Sequence, residues 1–178
     1  MTPDYDSCID KNAGTSVNLF DYEPARSSPR MTRRVLRGFD PQAFSQVRRE
    51  SQIGIPDLAR LADVGQSTLY AWEAGTFSPQ VDLLARVMRI IDAPIERVVN
   101  IPADERFPGD WRVIKGLTQP ELAAAVKIAT STLRSIERAD LGLTDANAEK
   151  LAKHLRISVE QYRAAYQRAR QRPAGTPV

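Results

Sequence analysis

The chain repeats itself. At an offset of 64 residues and without a gap, Asp40, Arg48, Pro56, Leu58, Ala59, Ser67, Thr68, Leu69, Glu73 and Glu96 recur as Asp104, Arg112, Pro120, Leu122, Ala123, Ser131, Thr132, Leu133, Glu137 and Glu160. Similar side chains fill other places: Ile53 and Leu117, Asp57 and Glu121, Val64 and Ile128, Ile91 and Leu155, Ile95 and Val159. A repeat this long is a small domain rather than a solenoid unit. The 178 residues are enough to build it twice.

The apolar spacing inside each copy is helical. Leu58, Leu61, Ala62, Leu69 and Trp72 keep the i, i+3, i+4 order, and Leu84, Val87, Met88 and Ile91 share one face of a predicted helix over Val81–Ile91. Breakers cut the copy into short pieces. Gly54 and Pro56 open one helix, Gly65 separates two, Gly75 and Pro79 follow the third, and Pro94 starts a last turn. In the second copy Pro108 limits a short first helix around 109–115, Thr118 and Thr144 are the predicted caps, and Asp145–Leu155 is a helix. Tyr162–Arg172 is predicted helical, with Ala164, Ala165 and Tyr166 as an apolar strip. No run of β-branched residues alternates as a strand would, so the expected class is all-α. The expected divisions are a disordered tail with a basic arm over 1–38, one domain over 39–100, a second over 101–172, and a disordered tail over 173–178. The tail composition, rich in Asp, Ser, Pro and Asn, cannot bury a core. Met31 is a second candidate for the start of translation.

Several function classes drop out. No apolar run nears the roughly 18 residues of a membrane span, and the N-terminus has no secretory h-region. A cytoplasmic protein without a membrane partner is therefore expected. One cysteine, Cys8, and one histidine, His154, make no Cys/His zinc site within the chain. His154 falls near the polar side of its helix and takes no role. Paired carboxylates, an activated nucleophile and a Gly-rich phosphate loop are all missing from the sequence, so neither an enzyme, a metal nor a cofactor is expected. Charge is uneven: −2 over residues 1–30, +3 over 31–39, −2 over 40–100, +1 over 101–166 and +3 over 167–178. The basic excess thus sits in two arms. Such arms suit nucleic acid, and they serve equally as solubilising tails.

The segment Leu58-Ala-Arg-Leu-Ala-Asp-Val-Gly-Gln-Ser-Thr-Leu-Tyr-Ala-Trp-Glu-Ala-Gly resembles the helix-turn-helix of Cro/C1-type (XRE family) repressors. So does Gly116-Leu-Thr-Gln-Pro-Glu-Leu-Ala, continued by Val126-Lys-Ile-Ala-Thr-Ser-Thr-Leu-Arg-Ser-Ile-Glu. The resemblance implies two tandem five-helix, lambda-repressor-like domains. It also implies a transcriptional regulator of bacterial or phage type that binds double-stranded DNA, more commonly a repressor. Each recognition helix would hold its apolar side, Val64, Leu69 and Trp72 in the first copy, to its own domain. Gln66, Ser67, Tyr70 and Ala71 would then face the major groove, and in the second copy Thr130, Ser131, Arg134 and Ser135. Arg134 suits guanine or a phosphate. Gln119 matches a family residue that meets the DNA backbone; Ile55 stands in its place in the first copy. Arg33, Arg34 and Arg37 would form a flexible arm reaching phosphates or the minor groove. Arg48 with Glu73, and Arg112 with Glu137, would be structural ion pairs. The resemblance admits a homodimer, RNA polymerase or another protein as partner. It also leaves open a protein-interaction module, such as an antitoxin, built on the same fold.

Overall fold

The computed structural model describes residues 36–176. Residues 1–35 of the expected N-terminal tail, Met31, Arg33 and Arg34 among them, lie outside the described residues. Helix α1 spans Pro41–Glu50, α2 Ile55–Ala62, α3 Gln66–Glu73 and α4 Val81–Ile91, followed by a 3-10 turn at Ile95–Arg97. The second repeat supplies α5 over Pro108–Ile114, α6 over Gln119–Val126, α7 over Thr130–Glu137, α8 over Asp145–Leu155 and α9 over Val159–Gln171. Among the described residues the only β-type pairing is the single antiparallel bridge between Phe39 and Val99. The class is all-α.

Local chemistry sets the ends. Asp40 accepts the N–H groups of Gln42 and Ala43 at 2.9 and 3.0 Å, and Pro41 opens α1. Thr118 and Glu121 close a reciprocal capping box at the start of α6. Gly54, the counterpart of Thr118, caps α2 without a side-chain bond. Left-handed residues stop the helices at matching places: Asp63 and Lys127 after α2 and α6, Asp92 and Arg156 after α4 and α8. The backbone punctuation therefore repeats even where the side chains have diverged.

Two apolar clusters result. The first is built on Phe44, Leu58, Leu69, Trp72, Leu84 and Met88, with the Phe44 and Trp72 rings edge-on at 5.7 Å. The second is built on Leu122, Leu133, Ile136, Leu151, Leu155 and Tyr162. Helix α9 packs on α8, α5 and α7. Its buried strip is Tyr162, Ala165, Tyr166 and Ala169. Ala164, expected in that strip, is exposed, because an α-helix has about 3.6 residues per turn and the stripe runs through 162, 165, 166 and 169. Where a disordered tail over 173–178 was expected, residues 173–176 make a turn. The Thr176 N–H donates to the Pro173 carbonyl at 3.2 Å, and Arg172 Nε donates to the Thr176 carbonyl at 3.1 Å.

The repeats do not part at residue 100. Ile101 and Ile114 both lie in the first cluster, while Trp111, one turn before Ile114 on α5, lies in the second. Gly116 has φ +67°, and a Cβ there would stand 2.9 Å from Ala85 Cβ, so glycine permits the close approach of α5 to α4. Lys115 Nζ sits 3.7 Å from Glu96 Oε1. The described residues fall in one compact unit. No helix among the described residues is long and apolar enough to cross a membrane, and the described residues contain no His/Cys/Asp/Glu cluster suited to a metal.

Candidate nucleic-acid interface

Each repeat holds two eight-residue helices joined by a tight turn: α2 to α3, and α6 to α7. The turn is fixed by a left-handed residue, Asp63 at φ 52° or Lys127 at φ 57°. It is also fixed by the next N–H, which donates back to the second-last turn: Val64 to Ala59 at 2.9 Å and Ile128 to Ala123 at 3.0 Å. Val64 is buried and Ile128 partly buried, pinning the turn to the core.

The second helix of each unit is held from behind by an ion pair. Arg48 Nε lies 2.6 Å from Glu73 Oε1, tying α1 to α3. Arg112 Nε lies 2.6 Å from Glu137 Oε1 and its NH2 group 3.2 Å from Oε2, tying α5 to α7 in a two-pronged pair. The second pair is the drier: its side chains are 10% and 6% exposed, against 14% and 16% for the first. It is also more fully bonded. Arg112 donates to the Leu117 carbonyl at 2.7 Å, and Gln119 Nε2 donates to Glu137 Oε2 at 2.7 Å. Gln119, expected at the DNA backbone, is thus engaged inside the protein.

On the front of α3, Gln66, Ser67 and Tyr70 are exposed and Ala71 is half-buried. On α7, Thr130, Ser131 and Arg134 are exposed and Ser135 is half-buried. The carbonyl of Ser135 accepts the N–H groups of Asp140 and Leu141, which folds the following loop against the end of α7. The two fronts share a shape and differ in charge. Where the first turn carries Asp63, the second carries Lys127; where α3 carries Tyr70, α7 carries Arg134. Helix α3 has no cation at all, and Asp63 pairs with Arg86 at 3.3 Å. Neither Gly65 nor Ala129 caps its helix with a side chain, so first-turn N–H groups of α3 and α7 have no side-chain acceptor.

The arms are placed differently from expectation. Arg37 is not free. Its guanidinium bonds Asp110 and lies 4.5 Å over the Phe107 ring, with the Glu105 carbonyl at 3.4 Å, so it clamps the start of the first repeat to the second. Burial lifts the Asp110 carboxyl above its ordinary range, outweighing the pull of the Phe107 N–H and of Arg37. The basic C-terminal arm is the end of α9. Arg168 donates to the Arg106 carbonyl at 2.7 Å, Arg170 to Ala139 at 3.1 Å and Arg172 to Arg138 at 2.8 Å. These carbonyls lie just outside α5 and α7, where the backbone makes no intrahelical bond, and the arginines satisfy them. In the capping box of α6, bonds from the Thr118 hydroxyl and N–H hold the Glu121 carboxyl below its usual range.

The repeat itself contains the signal for the joint. Val113, Ile114 and Gly116 stand where the first copy has Arg49, Glu50 and Gln52. Arg49 and Glu50 are surface residues, so apolar residues at their counterparts mark a surface that has become covered.

A helix-turn-helix family model matches residues 110–162, from α5 into α9. The matched stretch includes α6, the turn and α7, and the family is that of DNA-binding transcription regulators. No curated protein and no solved structure matches the chain.

Proposed function

We propose that the chain is a sequence-specific regulator of transcription that grips double-stranded DNA chiefly through its second helix-turn-helix. The observation that carries this reading is the front of α7. Thr130, Ser131 and Arg134 are exposed on a helix locked from behind by Arg112, Glu137 and Gln119, with Lys127 beside them in the turn. Polar side chains of this kind read base edges, and cations neutralise phosphates. The first unit keeps the geometry, but its α3 carries no cation and its turn holds Asp63 where the second has Lys127. Gln66, which can pair bidentately with adenine, Ser67, Tyr70 and Ala71 would add sequence preference and little electrostatic grip. The clamp at Arg37 and the shared helix α5 argue that the two recognition helices act at a fixed spacing, one raising the local concentration of the other. Arg33 and Arg34 are assigned to phosphate or minor-groove contacts. Repression by occluding a promoter, in the cytoplasm of a bacterial or phage-infected cell, is the role that follows.

One observation favours a second reading. Leu61 and Tyr70 of the first unit are 49% and 55% exposed. Large exposed apolar side chains, one of them on the cation-free α3, suit a protein, whether polymerase, a second copy or an antitoxin's target. Selection of random duplex DNA by the full chain separates the readings. A two-part site at fixed spacing supports joint reading, and a single short site confines reading to the second unit. No enrichment at low salt overturns the DNA proposal in favour of the protein partner.

A further inference from the structure

A groove of about 570 Å³ opens where the two repeats meet. Sites for small organic ligands run to roughly 300–1,000 Å³ and are mainly apolar with a few convergent polar groups. The walls fit that description. Leu36, Pro79 and Val81 come from the first repeat, and Val113 and Pro120 from the second. The charged lining consists of Arg37, Arg112 and Arg138 against Asp110 and Glu137.

The two carboxylates are already committed. Asp110 takes the Arg37 guanidinium and the Phe107 N–H, and Glu137 takes Arg112 and Gln119. A cationic ligand would find both acceptors occupied. Arg138 differs from the other two arginines of the lining, because its acceptor lies outside the groove. Among the described residues it pairs with Asp140, at 3.0 Å, and both side chains are about half exposed, so a ligand carboxylate in the groove can compete for it. Helix α4 also begins here, and its N-cap residue Gln80 makes no side-chain cap bond. We propose that the groove is a binding site for an amphipathic organic anion, with an apolar body between Val81 and Val113 and a single carboxylate beside Arg138. Gln119 and Arg138 touch the end of α7, so occupancy would shift the recognition helix and change DNA affinity. That consequence rests on the DNA-reading proposal, whereas the binding itself does not.

Titration of the full chain with the fluorescent anion 8-anilinonaphthalene-1-sulfonate, whose sulfonate stands in for the carboxylate, tests the site without DNA. The expected result is one saturable site per chain, with the neutral N-phenyl-1-naphthylamine binding about tenfold more weakly for want of a charge-assisted bond. Arg138→Gln, at an exposed position, should weaken the anion and leave the neutral dye unchanged. Val81→Phe, which fills the groove, should remove both while the circular dichroism stays helical. Equal affinity for the two dyes, or anion binding indifferent to Arg138→Gln, overturns the proposal. Repeating the titration with a selected duplex tests the consequence. A shift in DNA affinity with the dye bound supports coupling, and none overturns it. Failure to bind any duplex overturns the earlier reading and leaves the dye result standing.

Discussion

Arg112 and Glu137 are nearly dry, and each is the other's main partner. Removing one strands a charge, which typically costs about 3–5 kcal/mol. Urea denaturation of Glu137→Ala should show a loss of that order, and Glu73→Ala a smaller one, because the first pair is wetter and lacks the Gln119 bond. Asp110 behaves differently. Its carboxyl is lifted above the ordinary 3.8 by burial, so its contribution to stability is complete below that value and is lost as pH rises through the folded value. Asp110→Asn, which keeps the shape and removes the titration, should therefore gain on the wild type toward neutral pH and lose ground in acid. Parallel denaturation curves from pH 7 to about pH 3 would show the difference, and constant separation of the two would sink it. At this scale the ion pairs were legible, since a family resemblance named both partners. Arg37 was not: its partner is 73 residues away and outside any periodic pattern.

Caps and stripes decide the elements. Helix α8 begins and ends where Thr144 and the left-handed Arg156 put it, and the cap is visible in the sequence. The Ala164 misassignment shows the limit. Tyr162 and Tyr166 declare the buried side of α9, but neighbouring alanines look alike, and packing against α8, α5 and α7 takes Ala165 and Ala169 rather than Ala164. The unequal caps of α2 and α6 give a prediction. Gly54 has φ −67°, and an added Cβ would meet only Pro56 Cδ, at 3.7 Å. Gly54→Ser should therefore supply the missing acceptor and restrict the unfolded chain, stabilising by about 0.5–1 kcal/mol. Thermal unfolding should report a higher midpoint; an unchanged or lower one would mean the serine makes no cap.

Across the whole molecule, the division of charge between the two fronts matters most. Each phosphate contact contributes about −0.9 to the slope of log affinity against log salt. Lys127→Asp should flatten that slope by about one contact and weaken all sequences alike. Loss at a single base position only would instead place Lys127 at a base edge. Arg134→Ala separates the same alternatives for α7: about 1–3 kcal/mol at one position if it reads guanine, or a uniform loss if it holds a phosphate. The all-α class and the helix order were legible from the repeat and its spacing, whereas the packing of α5 against α4 had to be read from where the repeat fails. Ile114 stands opposite Glu50 and leaves its own copy to complete the other. A ribosome makes these halves in order. The first cluster is complete only once Ile114, on the opening helix of the second copy, has emerged, so during synthesis the nascent front half lacks a residue that belongs to its successor.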